Sequence, residues 1–267
     1  MQDLPRSSEI ITPQEIDFLL DERYRLVEQL GIGPVHIVHR AYDLVEQKDV
    51  CIKLLKPHFQ KNEGFILRYR RDLLELTLLT DPSWLTPVNL NREESGYSFQ
   101  VLPLLRGLPF PQWFQKSQRE SEDLVKVLTR CLLSLDRLSS VAGRTHGSIK
   151  PSNLYVTDKN EPLFADLAAT GRLEDHFSEG STHQGGLYFS PEQLSGERAT
   201  LRTDLYGLGL VLYVALARRH PFIPTTEAMP FQARSEKLLS SLLKQLQSRP
   251  SSPSNFSDDV PLWADRF

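Results

Sequence analysis

The sequence predicts an α+β fold, with a small β-rich N-terminal part followed by a larger, mainly helical part. Three observations carry this. Apolar and polar residues alternate from Tyr24 to Leu30, the period of a half-buried strand, and two further short strand candidates follow by Leu55. Two long stretches, 121–138 and 201–217, are apolar at helical spacing or apolar almost throughout. The strands come first and the long helices after, which is the order of two unlike parts joined in series.

Each element has its own signal. Residues 1–22 are polar, carry Pro5 and Pro13, and read as an N-terminal extension with a short helix from Pro13 to Leu20. Tyr24 to Leu30 alternates as a strand, and Gly31 and Gly33 break it. Val35 to Tyr42 and Asp49 to Leu55 are the next two strands. Asn62 to Leu79 is helical by period, with Phe65, Leu73, Leu76 and Leu79 on one side, and Pro82 closes it. Tyr97 to Leu105 is a further strand, ending at Arg106-Gly107. Ser121 to Leu138 is a long helix with Leu124, Val127, Leu128, Cys131, Leu132 and Leu135 inward. Leu201 to Ala217 is so apolar that burial on most sides is expected. Ser235 to Gln247 is amphipathic, and 248–259 is Ser/Pro-rich and irregular. The division expected is 1–22 as extension, 23–105 as the β-rich part and 106–267 as the helical part.

Bulk properties exclude several classes. The chain has 267 residues, 40% hydrophobic and 24% charged, as in an ordinary soluble globule. A formal net charge of -3 leaves no footprint for nucleic acid or an anionic membrane. No stretch approaches 18 consecutive apolar residues, so no membrane span is expected. The N-terminus lacks the apolar run of a signal peptide. Cys51 and Cys131 both lie in apolar runs, which suits buried thiols in a reducing, cytoplasmic setting.

The stretch His146 to Ala168 carries the chemistry. Lys150 and Asn153 sit three apart in a tight polar loop, and Asp166 follows the short apolar run Leu163-Phe164-Ala165, which reads as a strand end. The loop resembles the catalytic loop of the eukaryotic-type Ser/Thr protein kinases, and the Asp turn resembles their metal-binding turn. That family has H-R-D-x-K-x-x-N followed by D-F-G. This chain has H-G-S-x-K-x-x-N followed by D-L-A. By the resemblance, Lys150 serves the phosphates, Asn153 and Asp166 hold the metal, and Ser148 stands in place of the carboxylate that takes the substrate proton.

More of the family's pattern follows in order. Leu30 to Val38 is similar to the glycine-rich loop, with Gly31 and Gly33 matching and Val38 at the position that covers adenine. His36 stands where a third glycine would be. Lys53, in Val50-Cys51-Ile52-Lys53, is similar to the lysine that holds the α- and β-phosphates. Its expected acidic partner on the next helix is Asp72, one methylene shorter than the family's Glu, with Glu75 competing. Leu102 falls at the rear of the adenine pocket. Pro103 opens the hinge, where a carbonyl is offered, and Leu105 supplies the hinge N–H. Gly185 to Gln193 resembles the end of the activation segment, Thr203 to Tyr213 the helix whose Asp204 accepts N–H groups of the catalytic loop, and His220 to Phe222 the end of that helix.

The resemblance, closest to bacterial Ser/Thr kinase-like domains, implies a two-lobe protein-kinase-like fold over about Tyr24 to Pro261. It implies ATP as ligand with Mg²⁺ or Mn²⁺. With Ser148 for the carboxylate, it implies a pseudokinase with absent or very weak phosphotransfer, acting in signalling as a scaffold or allosteric module. An active but atypical kinase is the alternative, and an interaction module that binds no nucleotide is a second. Gly147 replaces the arginine that pairs with an added phosphate, so no ordinary phosphorylation switch is expected at Ser178, Ser181 or Thr182, unless Arg172 substitutes. The family continues with two more helices and an arginine for the acid at Glu192. The C-terminal lobe is therefore expected to be short, with the apolar helix Leu205 to Leu216 uncovered and open to a protein partner or to further domains of a longer chain.

Overall fold

The structure is a computed structural model that describes residues 18–33, 35–77, 79–92, 98–116, 121–167, 187–222, 249–256, 260 and 264–265. The expectations for Pro13, for residues 168–186 including Ser178, Ser181, Thr182 and Arg172, and for the helix Ser235 to Gln247 lie outside these residues. The chain divides into two compact units. One comprises Met1–Leu78 with Thr86–Leu105, the other Leu79–Leu85 with Arg106–Phe267. Leu79–Leu85, expected within 23–105, thus groups with the second unit.

Among the described residues the first unit is an antiparallel six-stranded sheet with two helices. Its strands are β1 (Leu19–Leu20), β2 (Tyr24–Ile32), β3 (His36–Asp43), β4 (Lys48–Leu55), β5 (Asn89–Arg92) and β6 (Ser98–Pro103), in the order β1-β2-β3-β4-β6-β5. The alternation seen in the sequence puts Leu20, Tyr24, Leu26, Ala41, Val50, Ile52, Leu54, Phe99 and Val101 into one core. Residues 19 and 20 are therefore a strand and not the end of a helix. Leu19 pairs with Arg25, Leu20 pairs with Tyr24, and the Leu20 side chain is fully buried. Arg23 closes this corner by donating two hydrogen bonds of 2.8 Å to the Asp43 carboxylate. Asp43 also accepts the N–H groups of Val45 and Glu46, which fixes the β3–β4 turn.

Helix α1 (Pro57–Gln60) starts with proline at its first position, where no N–H is needed. In α2 (Glu63–Thr77) the Asn62 side chain accepts the Phe65 N–H at 2.9 Å, capping the first turn. Phe65, Ile66, Tyr69 and Leu73 form its buried face. Phe65 and Leu73 agree with the sequence reading, and Leu79 lies beyond the helix, half-buried.

The second unit holds a small antiparallel sheet of β7 (Gly107–Pro109), β8 (Leu154–Thr157) and β9 (Pro162–Phe164), with helices α3 (Phe110–Lys116), α4 (Ser121–Ala142), α5 (Pro191–Leu194) and α6 (Leu201–Ala217). A Cβ on Gly107 would lie 2.7 Å from the Val156 carbonyl oxygen, so only glycine lets β7 reach β8. Helix α4 runs four residues past Leu138 and gives way to Gly143 at φ 61. Leu124, Val127, Cys131, Leu135 and Leu138 are buried. Leu132, expected inward, is 46% exposed because it sits off that stripe.

Helix α6 matches the predicted limits. Among its large apolar residues only Leu205 counts as exposed, while Leu208, Leu210, Val211, Leu212 and Leu216 are buried. The expected bare face is therefore corrected. The turn Pro253–Asn255 packs on α6, and the Tyr213 hydroxyl donates to the Ser251 carbonyl at 2.9 Å. The Arg219 guanidinium lies 4.3 Å from the Phe256 ring centre. Among the described residues no helix is long and apolar enough to cross a membrane.

Candidate functional site

In the second unit the site is built outward from α6. Asp204, 1% exposed in the first turn, accepts the N–H groups of His146 and Gly147 at 2.7 Å each. This is the scaffold role expected for it. Burial pushes the Asp204 carboxyl up to about 6, against the pull of the Gly147 and His146 N–H groups. Gly207 allows α6 to come this close, because a Cβ there would stand 2.9 Å from Ile149.

His146 is wholly buried against the stacked pair of Trp84 and Phe164, at centroid distances of 5.9 and 5.7 Å. Its Nδ1 accepts the Ser148 N–H at 3.2 Å, which leaves the proton on Nε2 to donate to the Ala165 carbonyl at 3.1 Å. Burial lowers its pKa to about 4, so it is neutral at pH 7. This histidine ties the loop holding Ser148 to the residue before Asp166. The sequence showed His146 but not this tie, which depends on Trp84 and Phe164 arriving from distant segments.

Three of the expected residues come together in this loop. The Asn153 side-chain amide donates to the Ser148 carbonyl at 2.9 Å and reaches the Ser148 hydroxyl at 3.3 Å. Asn153 N–H donates to the Lys150 carbonyl at 2.9 Å, closing the turn that carries Lys150. Ala165 N–H donates to the Asn153 carbonyl at 2.8 Å, which brings Asp166 next in chain to the same neighbourhood. Asp166 is exposed and sits at φ 55, a left-handed backbone that is uncommon outside glycine and is found at functional turns. Ser148, not a carboxylate, occupies the first position of the loop. Gln193 of α5, which the sequence reading passed over, donates to the Gly147 carbonyl at 2.9 Å. Glu192 accepts the Thr203 hydroxyl at 2.7 Å, so the acid expected to want an arginine has a neutral partner here.

The first unit presents a second set. Gly31, Val38, Lys53 and Gln100 lie opposite one another on β2, β3, β4 and β6, forming one row across the sheet. Lys53 is 7% exposed. Gly33 N–H donates to the His36 carbonyl at 2.8 Å across the end of the β2–β3 hairpin. A Cβ on Gly31 would meet nothing within 4 Å, and one on Gly33 only an ordinary contact at 3.6 Å. Leu102 is buried on β6, which is an inner strand between β4 and β5. Pro103 is exposed at its end and Leu105 is half-buried beyond it. Asp72 lies on α2, and its side chain is outside the described residues.

A curled antiparallel sheet with one helix of two turns or more, followed by a helical unit whose polar loop is bonded to a buried aspartate, defines a two-lobe α+β protein-kinase fold. The protein kinase domain model matches residues 24–262, and the chain belongs to that family. Among curated proteins it is 26% identical over 212 residues to a probable serine/threonine-protein kinase PknB of Lactococcus lactis, covering 78% of this chain and 34% of that one. It is 25% identical over 249 residues to the serine/threonine-protein kinase PrkC of Bacillus subtilis, covering 90% and 35%. The chain thus spans about a third of the length of these relatives. The crystal structure of the Mycobacterium tuberculosis PknI kinase domain superposes with a TM-score of 0.58 at 18% identity, over 94% of this chain and 96% of that one.

Proposed function

We propose that this domain binds ATP with Mg²⁺ or Mn²⁺ and acts in signalling as a pseudokinase, a scaffold or allosteric module with absent or very weak phosphotransfer. The observation that carries the reading is the loop itself. Asn153 and Asp166 offer amide and carboxylate oxygens, while the position of the proton acceptor holds a serine engaged by Asn153. A hard divalent ion takes one or two such oxygen ligands and fills its remaining positions from phosphates and water, so this donor set fits the ion. The bound ion would neutralise phosphate charge. Lys53 would hold the α- and β-phosphates with Asp72 behind it, and Lys150 the terminal one. Val38 and Leu102 would enclose the adenine, and the Pro103 carbonyl and Leu105 N–H would read its edge.

The glycines support a ligand-facing role. Neither Gly31 nor Gly33 needs to be glycine for packing or for a left-handed backbone. Their smallness serves whatever approaches the hairpin from outside. At Ser148 a neutral hydroxyl does not hold a proton as a carboxylate does, and loss of general-base assistance lowers rates by about 10²–10⁴-fold. The setting is proposed as cytoplasmic, with a protein partner or further domains of a longer chain as the target of the signal. Thermal unfolding with and without Mg-ATP tests the binding. Ligand at 100 times its dissociation constant should add about 2.7 kcal/mol. No stabilisation at millimolar Mg-ATP would sink the reading of a nucleotide site. An ordinary turnover, on the order of 1 s⁻¹ or more on a generic substrate, would sink the pseudokinase.

A further inference from the structure

His36 takes the place of a third small residue in the β2–β3 hairpin, and its side chain has a defined partner. Its Nε2 lies 2.6 Å from the Tyr69 hydroxyl of α2, with the two rings 5.4 Å apart. Tyr69 is 3% exposed, and its hydroxyl accepts a hydrogen bond from the Gln100 amide at 2.7 Å. A phenol has one proton to give. The phenol oxygen thus takes the Gln100 amide N–H and shares a second hydrogen bond with His36 Nε2. The Tyr69 ring is held in an aromatic column, stacked with Phe65 at 5.8 Å, while Phe59 packs on Phe65 with a tilt at 4.6 Å. Gln100 is pinned in turn, since β6 pairs it directly with Lys53 on β4.

We propose that the chain His36–Tyr69–Gln100 is a latch that holds the β2–β3 hairpin against α2 and so sets nucleotide affinity, with His36 as a positioning residue. The inference rests on the ATP-binding reading above. Gly31 and Gly33 are uncrowded and supply no steric stop of their own. Among the described residues the hairpin end is joined within itself through the Gly33 N–H to the His36 carbonyl, and to the end of β4 through the Lys56 N–H to the Val35 carbonyl at 3.0 Å and the pairing of His36 with Leu55. The latch adds a bond to a different element, buried at its far end. A hairpin fixed in one position loses less entropy when it closes on phosphates. The same restraint slows its opening for release.

Hydrogen exchange of the unliganded protein reads the latch, and calorimetry with Mg-ATP reads its consequence. Tyr69→Phe removes only the hydroxyl and keeps the aromatic column. It should speed exchange at residues 31–33 and 35–38 by about two- to tenfold, the worth of one hydrogen bond, with β4 and β6 amides as internal reference. His36→Ala should do the same, and the double variant should be no faster than either alone. His36→Gln, whose side-chain oxygen can accept the phenol proton, should stay near wild type. Mg-ATP affinity should fall by a similar factor in Tyr69→Phe and His36→Ala and stay in His36→Gln. Unchanged hairpin exchange in Tyr69→Phe overturns the latch. Faster exchange with unchanged Mg-ATP affinity overturns its role in binding. If wild type binds no Mg-ATP while exchange behaves as stated, the ATP reading fails and the latch stands as a structural restraint.

Discussion

Replacing His146 by phenylalanine isolates what the buried imidazole does. Phenylalanine keeps a ring against Trp84 and Phe164 but leaves the Ser148 N–H and the Ala165 carbonyl without the nitrogens that serve them. Each orphaned buried group costs about 1–3 kcal/mol, so the variant should be less stable by about 2–4 kcal/mol at pH 7.5, after some gain from the apolar ring. The pH dependence is the sharper part. Burial holds the folded-state pKa at about 4 against 6.5 when unfolded. A depressed histidine contributes stability above its unfolded pKa and loses it as pH falls toward the folded value. The contribution is on the order of 3 kcal/mol at neutral pH, and about 2.5 kcal/mol of it is gone by pH 4.5. Phenylalanine does not titrate. The gap between wild type and variant should therefore shrink by about 2.5 kcal/mol between pH 7.5 and 4.5. His39 and His220 are depressed in the same way, to about 4 by burial, but they titrate in both proteins and cancel. Urea unfolding followed by circular dichroism across this range measures the gap. A gap of constant size would refute the assignment of a neutral, doubly bonded His146.

The remaining expectations concern the loop and the phosphate side. Lys53→Ala and Asp166→Asn should each weaken Mg-ATP binding in calorimetry, and Asp166→Asn alone should abolish the metal dependence; binding unaltered in both would remove these residues from the site. Ser148→Asp should raise any measurable phosphotransfer above wild type in a radiolabel assay, and an unchanged rate would mean that more than the missing carboxylate limits the chemistry. Gly147→Ala should destabilise by about 1–2 kcal/mol in urea unfolding, since φ is 70 at this position; a neutral result would show that the loop relaxes.

Much of the fold was legible because its elements announce themselves locally. Helix α6 is apolar almost throughout after its first turn, and its limits agree with the sequence reading. The start of β2 alternates, and β4 is a short, almost wholly apolar run that carries Lys53. What was not legible depended on partners far away in sequence. Leu19–Leu20 has the composition of a helix end and becomes a strand only by pairing with β2. Leu132 looks as apolar as its neighbours, and only the register of α4 turns it outward. The cover over α6 comes from residues near 251–256, where Ser and Pro read as irregular chain. In the candidate site, Lys150, Asn153 and Asp166 were visible through the resemblance of their loop and turn to the family's pattern. The ties that position them, through His146, Trp84 and Gln193, were not. His36 was visible as an oddity among glycines, but its bond to Tyr69 needs the hairpin and α2 to be folded first.

Gly147 and Ser148 differ in how much change they tolerate. The Gly147 N–H is committed to Asp204, its carbonyl to Gln193, and its backbone is left-handed. Glycine alone accepts such a backbone without strain. Any side chain introduced there must hold the same pinned peptide groups in a conformation that L-residues resist. Ser148 carries no such penalty, having no positive φ. A carboxylate can therefore be engineered at 148 without backbone strain, whereas an arginine at 147 would need compensation elsewhere in the loop.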